Sequence, residues 1–257
     1  MNFSLSKWYL DCVTDDGDAY IGYAAVLGLG SFQIHYSSLL TADASGATRS
    51  RTSLKRATPP MLDGDTVTWF APTLDLEGTW ERAAASLYVP VYESDEGSVE
   101  WRCHMPNARV ALKVKGRAVT GRGYAEHLSL TVAPWKLPLR ELRWGRALSA
   151  DHSLVWIDWR GDERRQRIGF LDGARLEDFS VDDDAIVGSD GATLARFEGN
   201  QVLRSGTLGS TALGVLGPVA RSRIPGSALL LDETKWKART ALGGTPGHVI
   251  HERVLWP

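Results

Sequence analysis

The sequence predicts an all-β protein, and three observations carry that reading. Short segments rich in Val, Ile, Thr, Tyr, Phe and Trp recur along the chain, and Gly, Pro or Asp separates them. Alternation has a period of two: in GYAEHLSL, Tyr124, Glu126, Leu128 and Leu130 fall on one strand face, with Ala125, His127 and Ser129 on the other. A weak internal repeat completes the case. WYLDCVTDDGDAYIGY (residues 8–23) overlays WGRALSADHSLVWIDW (residues 144–159) without a gap, placing Trp8 on Trp144 and Tyr20 on Trp156.

Taken in order, residues 8–36 read as a β-meander, because WYLDCV and DAYIGYAAVLGLG flank the tight-turn sequence Thr14-Asp15-Asp16-Gly17. Residues 41–65 turn to Ala, Ser, Thr and Arg with Pro59 and Pro60, so a long hairpin or loop is expected, its arginines a solvated edge. Strands resume at 66–70, 79–80, 86–92, 99–103 and 108–115. VWIDW (155–159) is too rich in β-branched and aromatic residues for anything but a strand. After Gly161, RQRIGFLDG, DDDAIVGSDG, ATLARFEGN, QVLRSGTLG and GHVIHERVLWP read as strands with Gly or Asp turns. Residues 227–242 are the one helical candidate, so at most one or two short helices are expected.

A chain of 257 residues can bury one large core or two small ones. The repeat favours two halves, 1–136 and 137–257, joined near PWKLP, whose two prolines disfavour a central strand. With 23% charged residues and a net charge of -2, no field draws nucleic acid or an anionic membrane. Two cysteines, Cys12 and Cys103, make no disulfide framework and point to a reducing, cytoplasmic setting. The N-terminus lacks the pattern of a signal peptide, and no apolar run is long enough to predict an integral membrane segment.

The sequence has no G-x-S-x-G elbow, phosphate-binding lysine loop or H-E-x-x-H motif. His248 and His251 fall on opposite faces of a strand. No metal and no nucleotide cofactor are therefore expected. Acid–base chemistry in an aromatic cavity remains. A carboxylic acid protonates a poor base only if burial raises its pKa, and ring faces can then stabilise the resulting cation. Asp158, with Trp156 beside it, meets both needs, while Tyr124, Trp135 and Trp144 can supply more wall. Glu126 or His127 is the second catalytic member, and only one of the two can face a shared cavity. Arg143 and Arg146 can orient a polar head group. The competing role for Asp158 is a salt bridge with Arg143, Arg146 or Arg160.

WYLDCVTDDGDAYIGYAAVLG, GTWE, GRGYAEHL, PWKLP, LRWGR and VWIDWRG together resemble the carotenoid 1,2-hydratase (hydroxyneurosporene synthase) and AttH-like superfamily, to which tocopherol cyclases and some Diels–Alderases are similar in architecture. The resemblance implies two lipocalin-like antiparallel β-barrel or half-barrel halves, cofactor-free chemistry, and a hydrophobic isoprenoid or polyene substrate. It places the acid–base group on His127 and Asp158, with Trp156 as the aromatic before the aspartate. The expected function is a hydratase or cyclase. A non-catalytic lipocalin-like binder of a hydrophobic small molecule, or a pericyclase, is the alternative.

Overall fold

The computed structural model describes residues 3–162 and 164–257; Met1, Asn2 and Glu163 lie outside it. The chain divides into two compact units, Met1–Ala133 and Pro134–Pro257. In the first, β1 (Phe3–Val13), β2 (Ala19–Leu29) and β3 (Phe32–Ala42) form the expected meander, and β4 (Thr48–Ser53) continues it within the stretch expected as a long hairpin or loop. The short strands β5 (Met61–Asp63) and β6 (Thr66–Ala71) lead to β7 (Leu76–Arg82) and β8 (Leu87–Ser94). Two long strands, β9 (Gly97–Val114) and β10 (Arg117–Leu130), end the unit. The sheet order is β4-β3-β2-β1-β10-β9-β7-β6-β5, with β8 paired to β9. The stretch expected as strands at 99–103 and 108–115 is one strand, because β9 passes its irregularity opposite Ala125 without breaking.

The second unit contains β11 (Glu141–Ser149), β12 (Ser153–Arg160), β13 (Arg165–Leu171) and β14 (Ala174–Arg175). A small sheet of β15 (Phe179–Val181), β16 (Ala185–Gly188) and β17 (Thr193–Arg196) follows. β18 (Glu198–Thr207), the short helices α1 (Pro218–Arg221) and α2 (Gly226–Leu229), β19 (Asp232–Leu242) and β20 (Thr245–Leu255) complete the chain. The large sheet runs β14-β13-β12-β11-β20-β19-β18. Both units therefore share one scheme: first strand paired to second on one side and to last on the other. Neither large sheet closes, so each is an antiparallel half-barrel. All pairings are antiparallel and the protein is all-β, as the alternation predicts.

The helix expected over residues 227–242 is confined to α2, and Asp232–Leu242 is a strand. Glu233, Lys235 and Lys237 are buried on one of its faces, and Ala238 and Leu242 join the apolar cluster. Glu233 is paired across strands with Arg204, and Lys235 with Glu252. The repeat also needs a correction. Tyr20 pairs with Cys12 eight residues away, whereas Trp156 pairs with Gly145 eleven away. The two hairpins are offset, so a gapless overlay cannot hold on both strands. Trp8 packs on its unit's apolar cluster, while Trp144 lies on the face opposite Ala147 and its cluster.

Each large sheet has one apolar face. In the first unit Leu10, Cys12, Ala125, Met105, Trp69 and Trp80 lie together; in the second, Ala147, Leu154, Trp156, Phe179, Ile186 and Val249 do so. Trp156 reaches its place by lying over Gly145, where an added Cβ would sit 2.2 Å from Cζ2 of the indole. Gly145→Ala should therefore overpack the second core and cost about 1–3 kcal/mol. Urea unfolding checks this; an unchanged midpoint would mean that the indole is free to move aside.

Candidate active site

β10 carries the two expected acid–base candidates on opposite faces, and the structure gives each a different setting. Gly121 and Gly123 let β10 run close to β1, since a Cβ on them would lie 2.3 Å from Val13 O and 2.0 Å from Asp11 O. The register with β9 then shifts between Gly123 and Glu126, a bulge that re-aims the following side chains. Tyr9 stands opposite Glu126 and Asp11 opposite Tyr124, so the first and last strands bring two phenols and two carboxylates onto one face. Glu126, 5% exposed, accepts from Tyr124 Oη at 2.7 Å and from Trp101 Nε1 at 2.5 Å. Tyr9 Oη donates to Asp11 Oδ2 at 3.1 Å. Burial drives the Tyr124 phenol well above its ordinary range, with Cys103 and Glu126 adding to it. Burial does the same to the Cys103 thiol, so neither ionises near neutrality. Tyr124 is a permanent donor, and Glu126 the acceptor it serves.

His127 faces the other way, half-buried beside Trp8, with ring centroids 5.1 Å apart. Its Nε2 lies 2.8 Å from Ser6 Oγ. His104 stacks on the same indole at 5.0 Å. Burial, then the Arg102 charge, lowers the His127 pKa. Burial, then His127 and Arg102, lowers that of His104 to about 4. Both rings are neutral at pH 7, which makes them bases and hydrogen-bonding groups, not acids. Trp8, Ser6, His104, Tyr9, Asp11 and Trp101 were not singled out from sequence. Asp11 gave a signal, as a carboxylate in the middle of an apolar strand.

Asp158 is buried, as expected, but its surroundings differ from the apolar pocket that a proton donor needs. At 0% exposure its Oδ2 is 2.6 Å from Arg160 Nη2 and 3.4 Å from Arg165 Nη2, and Arg167 Nε lies 3.9 Å from Oδ1. Arg160 in turn bonds Val181 O at 2.6 Å and Glu141 at 3.2 Å. The carboxylate's negative charge is already matched, so Asp158 ties β12 to its neighbours. Residues expected around it are dispersed. Trp156 shares its face but stacks on Phe197 at 5.7 Å within the core. Arg143 pairs with Glu141 at 2.5 Å and Asp183 at 2.6 Å. Trp144 and Arg146 occupy the opposite face of β11, Trp144 with Lys235 Nζ 5.2 Å over its ring, Arg146 buried and bonded to His248 O at 2.9 Å. Trp135 lies apart, lining a cavity of about 490 Å³ in the second unit.

That unit buries further charge. Lys235, 0% exposed, pairs with Glu252, and Glu233 accepts from Arg204 Nε at 2.9 Å. Among the described residues, no three His, Cys, Asp or Glu converge as a metal site would require. No helix there is long and apolar enough to cross a membrane. His251 stacks on Trp236 at 4.9 Å and lies tilted against Phe197 at 4.7 Å, with Nε2 2.9 Å from Asn200 Oδ1. Burial, with help from Lys235 and Arg143 and against Asp183, lowers its pKa to about 3. The unfolded chain binds this proton from about pH 6.5 downward, the folded one only near 3. The stability from a neutral His251 is thus complete above about pH 6.5 and falls as pH drops toward 3. His251→Phe should flatten the pH dependence of unfolding free energy over that window in urea titrations; an unchanged slope would assign the dependence to other groups.

No protein-family model matches the chain, and no curated protein matches it. Solved structures do. A protein described as AttH, from Nitrosomonas europaea, aligns with a TM-score of 0.54 at 11% identity, covering 98% of this chain and 92% of its own. CghA gives 0.54 at 10% identity over 99% and 88%, and CghA with Sch210972 gives 0.52 at 12% over 99% and 89%. At such identities the likeness is one of fold. The AttH-like resemblance carried by the sequence is matched in three dimensions, and the architecture of this chain is that of AttH and CghA.

Proposed function

We propose that the chain is a cofactor-free enzyme of the hydratase or cyclase kind, acting on a hydrophobic unsaturated small molecule with His127 as its base. One observation carries this reading: an imidazole held neutral, half-buried against an indole, and hydrogen-bonded to Ser6 at 2.8 Å. The sequence resemblance places an acid–base histidine at the same position. A structure of the same fold, CghA, is described with Sch210972, which supports a small-molecule ligand.

A neutral imidazole cannot protonate an isolated alkene. It can take a proton from water, or from a substrate hydroxyl, as that oxygen adds to a double bond conjugated with a carbonyl. The proton then passes to the adjacent carbon, and the oxyanion formed meanwhile would be met by the charge of Arg102, which already acts on the ring. Trp8 offers the apolar wall. Glu126, on the other face, accepts from Trp101 Nε1 of β9 and so ties β10 to its neighbour. A polarised alkene therefore fits this site better than an unactivated polyene. The binder reading draws on the ion pairs that occupy Asp158.

The test is an assay of conjugated enones and polyenes for gain of one water or for isomeric products. His127→Gln should lower turnover by about 10²–10⁴-fold with an unchanged melting temperature. Asp158→Asn should instead keep turnover within a few-fold and lower stability by about 1–2 kcal/mol, because the buried carboxylate no longer pairs with Arg160, Arg165 and Arg167, whose own partial exposure softens the loss. Activity should be flat across neutrality and fall on acidification below pH 6.5, as His127 takes up its proton. Full turnover in His127→Gln, or loss of chemistry in a stable Asp158→Asn, would refute the assignment.

A further inference from the structure

The cavity of about 490 Å³ lies within the range of small-ligand sites, and its walls are fixed by backbone contacts. Trp135, Leu137, Arg140, Asp162, Ser227 and Trp256 line it. Trp256 is anchored twice, by its own N–H to Arg140 O at 2.9 Å and by Nε1 to Pro134 O at 2.9 Å. Arg140 N donates to Arg160 O at 2.8 Å, and Leu139 N to Leu137 O at 2.8 Å. Gly161 lets the β12–β13 turn press against this segment, since a Cβ there would lie 2.1 Å from Pro138 O. The Trp256 indole is thus held in place before any ligand arrives.

The polar end of the cavity is unevenly used. Arg140 donates through Nε alone, to both oxygens of Asp162 at 2.9 Å. Its four Nη–H donors have no partner among the described residues. Both side chains are about two-thirds exposed, at 65% and 67%, so solvent screens the pair and it contributes little. A guanidinium with an open planar fork, in a cavity that two indoles also line, is suited to one kind of molecule. We propose that this cavity binds an aromatic carboxylate, its ring system between Trp135 and Trp256 and its carboxylate on the Nη edge of Arg140. The site is separate from His127 and does not rest on the chemistry assigned there.

Calorimetric titration of the full chain with 2-naphthoate, 2-naphthalenemethanol and 2-naphthylmethylammonium tests this. 2-Naphthoate should bind most tightly. Arg140→Gln should weaken it at least fivefold and leave the alcohol unchanged, while Trp135→Ala should weaken both. Asp162→Asn should tighten naphthoate several-fold, because it removes a competing and repelling carboxylate; a merely structural pair would give weaker binding instead. Absence of naphthoate binding up to its solubility limit overturns the proposal. So does equal or better binding of the alcohol or the ammonium, or indifference of naphthoate affinity to Arg140→Gln.

Discussion

The pairing of the first strand of each unit with its last is the constraint on which the rest depends. β1 and β10 lie side by side although more than a hundred residues separate Tyr9 from Glu126, and β11 and β20 repeat the arrangement. Such non-local closure costs chain entropy before any contact forms. It is offset by what the pairing buries, an apolar face on one side of each sheet. Once that register is set, the alternation of side chains decides every neighbour on the other face as well.

That second face explains the unusual burial of polar groups in this chain. A carboxylate, phenol or ammonium inside a sheet must find its partner two residues along its own strand or across to the next, because unmatched polar groups in the interior are costly. Tyr124 and Glu126 satisfy each other along β10, Lys235 is matched by Glu252 from β20, and Asp158 by the arginines of β12 and β13. These pairs define the register more than they supply stability, since desolvation offsets much of each attraction. The same rule separates the candidate base from the candidate anchors. His127 is half-buried, bonded to one hydroxyl and packed against Trp8, whereas the buried Asp158 is tied to three arginines.

Much of the fold was legible because it is written in local patterns. Period-two alternation placed Tyr124 and Glu126 on one face and His127 on the other, and Gly17, with φ of 89°, ends the first strand as its turn sequence implies. The candidate site was only half legible. His127 was named beside Glu126 from the strand pattern and again by resemblance, but Ser6, Trp8 and His104 come to it from distant strands. Asp158 was visible as a carboxylate in an apolar run, yet Arg165 and Arg167 face it only through the β12–β13 register. In β19, which lies within the stretch expected as a helix, Glu233 and Lys235 are buried because Arg204 and Glu252 reach them from the neighbouring strands.

By itself the sequence determined the all-β class, the strand faces and the tight turns, because a residue's backbone preference and its alternation depend on immediate neighbours. Only the tertiary structure decided which carboxylate is tied to guanidinium groups, which histidine stays neutral, and where a cavity lined by Trp135 and Trp256 opens. Those properties arise from desolvation and from charges brought close by strand pairing. Both depend on distances in space that chain order does not record.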